Sequence, residues 1–148
     1  IEEHKLQFQE QRTSNDMYFG FSATALAKKI GVIDKILVHY RIDAADSLSK
    51  TREKSWQCFY QALCGIRTKL IQDGIFPEFE KDFINYSLHF SFWNLDTLAE
   101  PTQTILKNKL VQEWFDDLGI KGKPASYFQE PEEYERYSKM MEDNGQTP

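Results

Sequence analysis

Cysteine is scarce in this sequence of 148 residues, which contains only two. Cys58 and Cys64 lie in one helix-like stretch, and their spacing separates two residues by about 9 Å along a helix, too far for a bridge. We therefore predict that both are small core residues, unpaired, in a protein of a reducing compartment.

Long apolar runs and an excess of basic charge are missing as well. No run approaches the roughly 20 residues that span a bilayer, and residues 1–10 contain no signal-peptide core. The 18 basic and 23 acidic residues give a net charge of −5, which is not the basic footprint of a nucleic-acid-binding domain. We predict no transmembrane segment, no nucleic-acid partner and a cytoplasmic location, with the inner face of the membrane as the alternative. Because the chain begins without Met, inside a pattern already under way, we expect a piece of a longer protein.

The familiar short catalytic motifs are also missing. The chain contains no phosphate-binding glycine loop, no HExxH, no GxSxG, no Asp-x-Asp and no metal-spaced set of Cys and His. We therefore predict neither a cofactor nor a metal site within it. The three histidines lie far apart in the sequence. We interpret His4 as a surface residue and His89, in an aromatic-rich stretch, as a hydrogen-bonded core residue.

The pattern that is present is that of a mainly α-helical globular chain. Apolar residues make up 41% of the sequence and aromatic residues 14%, enough for a substantial core. The β-branched segment Lys35–Ile42 predicts a strand, and the brief alternation of Leu6 and Phe8 is also strand-like, so strand is expected only before residue 45. Apolar residues at helical spacing, with Gly31 and Gly74 among the stops, predict helices over 15–29, 49–73, 78–98, 102–118 and 131–142.

The aromatic residues indicate where the core lies. The helix predicted over 78–98 is apolar almost all round, so it is expected to be central and buried. Since no single amphipathic helix can bury its own stripe, one shared core is predicted, formed by Trp56, Phe83, Phe90, Trp93 and Phe115. The acidic stretch Glu130–Glu135 is expected to be the solvated start of the last helix.

One polar cluster stands out from this background. Ser14, Asn15 and Asp16 precede an alanine-rich helix, and His39 and Arg41 follow near the end of the predicted strand. In a purely structural interpretation, Ser14 or Asn15 caps the helix, Asp16 favours its positive end and Arg41 neutralises a nearby carboxylate.

A second interpretation comes from the order of short motifs between Phe8 and Leu48. The pieces are Phe8-Gln9-Glu10, then Asn15-Asp16-Met17-Tyr18-Phe19, an alanine-rich helix over 25–30, Ile33, and Tyr40-Arg41 followed by Ser47-Leu48-Ser49. This order resembles the end of the catalytic domain of a family-2 glycosyltransferase. The remainder is similar to the helical C-terminal extension of bacterial enzymes that build capsular, cell-wall or glycoprotein-linked glycans.

The resemblance implies a division of the chain. Residues 1–46 would be the C-terminal edge of a GT-A catalytic domain, carrying a small β remnant of its sheet. Residues 47–148 would be the helical extension. The fold class that follows is mainly α.

The resemblance also implies an activity: inverting transfer of a sugar from a nucleotide-sugar donor to a hydroxyl of a glycan or cell-surface acceptor. Asp16 stands at the position of the family's general base, and a carboxylate at a helix N-terminus stays ionised at neutral pH, as a base must. Asn15 stands where the family more often has Glu. The full-length enzyme is expected to use Mn²⁺ or Mg²⁺, but the family's metal motif precedes the matched region, so the chain alone is expected to be inactive.

Two questions remain open at the level of sequence. His39 and Arg41 either face a diphosphate or acceptor, as weak substrate-binding residues, or hold the loop at Asp43 and Asp46. The chain as a whole is either part of an enzyme, with homo-oligomers as an option, or a helical module over 47–143 that docks a partner protein. A stand-alone helical protein without catalytic ancestry is the third option.

Overall fold

A computed structural model describes residues 3–39 and 48–148 of the chain. These residues are mainly helical, as predicted. The elements in chain order are α1 (Asn15–Leu26), a 3₁₀-helix (Leu48–Ser55), α2 (Cys58–Gln72), α3 (Phe76–Thr97), α4 (Thr102–Lys109), a π-helical turn (Leu110–Trp114), α5 (Phe115–Asp117), a 3₁₀ turn (Ala125–Tyr127) and α6 (Pro131–Glu142).

Helix α2 supplies the centre of the core. Its apolar side chains recur every three or four residues, and Phe59, Leu63, Ile66 and Leu70 are each at most 1% exposed. Helices α1 and α3 both pack against α2. The N-terminal helix α1 is thus packed directly against the helical region that follows residue 48.

Helix α3 begins at Phe76 with Pro77 in its first turn, a position where the missing amide hydrogen costs nothing. It buries residues on more than one side, including Phe83, Leu88 and Phe92, in agreement with its nearly all-round apolar pattern. On the side of the C-terminal helices, Phe115 and the buried Tyr137 of α6 meet edge to face, with ring centroids 5.1 Å apart. The helix α6 starts at Pro131 with acidic residues in its first turn, as predicted.

Two predicted helices are shorter than expected. The helix predicted over 49–73 is interrupted: its polar first part is a 3₁₀-helix, and α2 begins only at Cys58. Residues 48–54 carry no apolar stripe, so an α-helix there would gain nothing by burial. Helix α1 ends at Leu26 rather than near residue 29, because residues 27–30 are exposed and have no core to face.

No strand forms within the described residues, so the small β remnant is not present there. Leu6–Phe8 and residues 35–39 have no regular hydrogen-bonded structure, and the rest of the predicted strand, Tyr40–Ile42, lies outside the described residues. The physical reason is that a strand is stabilised by pairing, and this apolar segment has no neighbouring strand in the described chain.

Smaller predictions can also be checked. Cys58 is buried, Cys64 is half-buried and both are free thiols, as predicted. The prediction for His89 is wrong: its side chain is 61% exposed and its Nδ1 lies 2.6 Å from Glu133 Oε1, between α3 and α6. Among the helices within 3–39 and 48–148, none has the length and apolarity needed to cross a bilayer.

Candidate functional site

A cavity of about 530 Å³ opens beside the N-terminus of α1, and we call it the Asp16 cavity. Three parts of the fold contribute to it: the start of α1, the 3₁₀-helix with the residue that follows it, and the C-terminal half of α3. Its lining consists of Thr13, Ser14, Asn15, Asp16, Met17, Arg52, Ser55, Trp56, Tyr86, Phe90, Trp93, Asn94 and Leu98.

The chain enters α1 through a sharp turn that places Asp16 at this cavity. Ser14 adopts a left-handed conformation, with φ of 61°, and its side chain makes no capping hydrogen bond. Instead, the Asp16 amide donates to Asn15 Oδ1 (3.0 Å), and the Met17 amide donates to Asp16 Oδ1 (3.0 Å). Both side chains thus satisfy free amides of the first helical turn, and the Asp16 carboxylate is exposed at the positive end of the helix.

Aromatic rings form one wall of the Asp16 cavity. Phe90 and Trp93 stack with their centroids 5.1 Å apart, and Trp56 also lines the wall. The prediction that Trp93 belongs to the core is wrong, because this side chain is 40% exposed, whereas Phe83 and Phe115 are fully buried. Trp56 and Phe90 pack, partly buried, against the core cluster.

A cation lies over the exposed indole. The Arg52 guanidinium carbon is 3.9 Å from the Trp93 ring centroid, and Arg52 Nη1 donates to Thr97 Oγ1 (3.1 Å). The cavity therefore presents a guanidinium from the 3₁₀-helix and a carboxylate from α1. A planar guanidinium is well suited to bind carboxylate or phosphate groups.

Electrostatics connects Asp16 with Tyr86 on α3. Burial raises the pKa of the half-buried Tyr86 phenol, and the negative charge of Asp16 raises it further. The phenol therefore stays protonated at neutral pH and is available as a hydrogen-bond donor beside the carboxylate. Nearby, the buried amide of Asn94 is oriented by the hydrogen bond that its Nδ2 donates to the Phe90 carbonyl (2.8 Å).

The structure brings together only part of the predicted site. Asn15 and Asp16 both line the cavity, whereas His39 is exposed in the irregular segment over residues 27–39 and is not among the lining residues. Arg41 lies outside the described residues. Sequence reasoning missed Arg52, Tyr86 and Trp93, which come from distant parts of the chain. The available signal was the polar interruption of the apolar pattern of α3 near its C-terminal end, where Asn94 and Thr97 flank this wall.

The arrangement suits the recognition of a polyhydroxylated ligand between a carboxylate and a guanidinium. The aromatic side chains of the wall offer apolar carbon to the C–H groups of a ligand, while Asp16, Tyr86 and Asn94 supply acceptors and donors around them. Within the part of the chain that the structure describes, no three His, Cys, Asp or Glu side chains lie together as a metal site would require. Comparisons with family models, with curated proteins and with solved structures found no match to this chain.

Proposed function

We propose that the chain is part of an inverting bacterial glycosyltransferase of the family-2, GT-A type, and that it contributes the general base and part of the acceptor site. A nucleotide-sugar donor would supply the sugar, and a hydroxyl of a glycan or cell-surface acceptor would receive it. The donor site and the Mn²⁺ or Mg²⁺ site would belong to protein outside this chain, which by itself would be inactive. A cytoplasmic location is part of the same proposal.

The observation that carries the proposal is that Asp16 lines a cavity with a partly exposed aromatic wall. A carboxylate needed only to cap α1 would not require such a cavity. In the proposed reaction, Asp16 accepts the proton of the acceptor hydroxyl as that oxygen bonds to the anomeric carbon of the donor sugar, and the nucleoside diphosphate leaves with the bonding electron pair. The acceptor sugar would lie against Trp93 and Phe90, so that its hydroxyl is held near the base.

A second observation supports the presence of a further protein layer. Six apolar side chains of the irregular segment over residues 27–39 are 62–93% exposed, namely Ile30, Val32, Ile33, Ile36, Leu37 and Val38. An exposed apolar patch of this kind is typical of a surface covered by other protein. The catalytic sheet would supply that cover. In the alternative, a helical module over residues 47–143 docks a partner protein and Asp16 is purely structural; the exposed patch lies outside that module.

The variant Asp16→Asn, made in the enzyme that contains this chain, separates these functions. Asparagine keeps the size and capping ability of the side chain but cannot accept the proton. We expect kcat to fall by about 10²–10⁴-fold, the usual contribution of a general base, while the Kd of the donor stays unchanged. The measurements are initial rates, donor titration and melting temperature on the same variant.

Asn15→Asp is a suitable companion variant, because it adds a carboxylate next to the base without removing Asp16. Donor affinity and melting temperature of both variants should stay close to those of the parent. Turnover of Asp16→Asn within about threefold of the parent would contradict the proposed function and favour the interaction module.

A further inference from the structure

A second depression adjoins the Asp16 cavity and differs from it in chemistry. This groove has a volume of about 500 Å³ and runs between α1 and α3. We call it the α1–α3 groove. Its lining is mostly apolar and consists of Asp16, Met17, Gly20, Phe21, Thr24, Ala25, Phe79, Asp82 and Tyr86.

The groove and the Asp16 cavity share part of their lining. Asp16, Met17 and Tyr86 line both of them. Between the two helices, Phe21 of α1 reaches across to α3, where its ring centroid is 5.3 Å from that of Tyr86. A ligand whose polar end occupies the Asp16 cavity could thus extend an apolar end past Tyr86 into the groove.

Gly20 gives an independent indication that this space is left open. It lies in the interior of α1, where glycine destabilises a helix by roughly 0.5–1 kcal/mol relative to alanine. A Cβ atom at Gly20 would meet no atom within 4 Å, so packing inside the described chain does not require glycine there. Because Gly20 lines the groove, a larger side chain at this position would take up part of its space.

The chemistry of the groove selects its occupant. Its volume lies in the range of small-ligand sites, roughly 300–1,000 Å³. The two carboxylates in its lining, Asp16 and Asp82, disfavour an anionic group, and its apolar walls favour hydrocarbon.

We propose that the acceptor sugar carries an uncharged apolar chain, which the α1–α3 groove binds while the Asp16 cavity binds the sugar. This inference rests on the proposed function and specifies its acceptor class. The groove would then contribute to acceptor affinity without taking part in proton transfer.

The test is a titration of the chain with methyl, hexyl and octyl β-D-glucoside, below micelle-forming concentrations, followed by tryptophan fluorescence, since Trp56 and Trp93 line the cavity. Each methylene that leaves water tightens binding by about fourfold at most. We expect octyl glucoside to bind at least about tenfold more tightly than methyl glucoside. Equal affinity along the series, or no binding by any member, would overturn the inference.

Gly20→Leu places a side chain into the groove and should remove this preference. The octyl glucoside should then bind within about threefold of the methyl glucoside, whose own affinity should stay unchanged. Thr24→Leu, at an exposed position of the same lining, provides a second variant, and both substitutions introduce a better helix former at an exposed site, so folding should be retained. Gly31→Leu is the matched control, because its Cβ also meets open space but lies outside the groove.

The outcomes separate this inference from the proposed function. If a longer alkyl chain on the glucoside does not tighten binding, or if Gly20→Leu leaves the preference for octyl glucoside intact, the inference fails. The proposed function still stands in that case, provided that Trp93→Ala weakens the binding of methyl glucoside. If 1-octanol binds as tightly as octyl glucoside and Trp93→Ala changes neither, the cavity does not recognise the sugar and both proposals fail.

Discussion

Tyr137 is the clearest case of a single residue whose burial and polarity conflict. Its side chain is fully buried between Phe115 and Phe128, and its hydroxyl has no hydrogen-bond partner among the described residues. Burial raises the pKa of the Tyr137 phenol to about 12. A buried hydroxyl without a partner has lost its hydration without replacement, which costs roughly 1–3 kcal/mol.

We therefore expect Tyr137→Phe to increase the free energy of unfolding by about 1 kcal/mol, because the substitution removes only the unpaired oxygen. Urea denaturation of parent and variant measures the difference. Tyr134→Phe, at a half-buried neighbouring ring, should change the free energy of unfolding little. A destabilised Tyr137→Phe would show that the hydroxyl is hydrogen-bonded in solution.

The residues of the candidate site differ in how far sequence could predict them. Asn15 and Asp16 were predictable because they are adjacent in the chain and precede a helix, which is a local signal. Trp93 was predicted to be in the core because it belongs to a helix that is apolar on nearly all sides. Its exposure depends on where the 3₁₀-helix that contains Arg52 lies, and that is a tertiary contact which no local pattern encodes.

At the scale of helices, glycine at the end of α2 has a defined structural task. Gly74 has a positive φ of 73°, its amide donates to the Ile71 carbonyl (3.0 Å), and the Ile75 amide donates to the Leu70 carbonyl (3.0 Å). These bonds satisfy carbonyls of the last turn, and an L side chain at such a φ is strained.

Gly74→Ala should therefore lower the free energy of unfolding by about 1 kcal/mol. Gly31→Ala is the control: Gly31 has no positive φ, and its Cβ would meet no atom within 4 Å, so no loss is expected. Thermal and urea denaturation of the two variants provide the comparison. Equal stability of both variants would mean that the strain at Gly74 is relieved by local rearrangement.

The glycines also illustrate the limits of predicting helix ends. Gly74 was predicted as a stop and is one, whereas Gly31 lies beyond the actual end of α1 at Leu26. Glycine can end a helix only if the helix still buries side chains up to that point. The π-helical turn at Leu110–Trp114 was not predicted, since apolar spacing does not distinguish it from α-helix.

An ion pair joins α3 to α6 and should make their contact sensitive to acid. Arg136 donates to both carboxylate oxygens of Asp96, at 2.8 and 2.5 Å, and its guanidinium lies 4.2 Å from the Phe92 ring centroid. The hydrogen bond with Arg136 lowers the pKa of Asp96. Because its folded pKa lies below the unfolded value, the pair stabilises the fold above about pH 4, and this is lost as pH falls through the folded pKa.

Asp96→Asn should lower the free energy of unfolding at pH 7 by only about 0.5 kcal/mol, because both partners are largely exposed and solvent screens the pair. This difference from the parent should shrink below about pH 4 and vanish at still lower pH. Urea denaturation over a pH series measures it. Asp82→Asn, at an exposed acid on the same helix, is the control. A difference that stays constant to pH 2 would mean that the charge of Asp96 is not involved.

For the molecule as a whole, the helical class was predictable because it depends on periodicity over many residues, each contributing a little. The strand was not, because strand formation needs a partner that local sequence does not supply. Residues 32–38 have the composition of a strand that is buried on both faces, since apolar side chains occur at odd and even positions alike. In the described chain they lie exposed and unpaired with another strand.

This exposed segment should make the isolated chain associate with itself. In an antiparallel pairing of two copies, Asp34 of each copy could stand opposite Lys35 of the other, with Ile33 opposite Ile36. No strand among the described residues covers this segment, so pairing between copies is a way to remove its apolar surface from water. Sedimentation velocity should therefore show an average mass that rises with concentration.

The double variant Ile36→Lys and Val38→Lys should restore a monomer over the same concentration range, because it places two charges on one face of the segment. Ile71→Lys is the matched control: Ile71 is also an exposed isoleucine, 50% accessible, but it lies on α2. Ile71→Lys should leave the association unchanged. The parent chain could stay monomeric at all concentrations, or Ile71→Lys could abolish association as fully as the double variant. Either result would show that residues 32–38 are not the surface through which copies associate. The support that their exposure gives to a missing protein layer would then fall away, and Asp16 and its cavity alone would carry the proposed function.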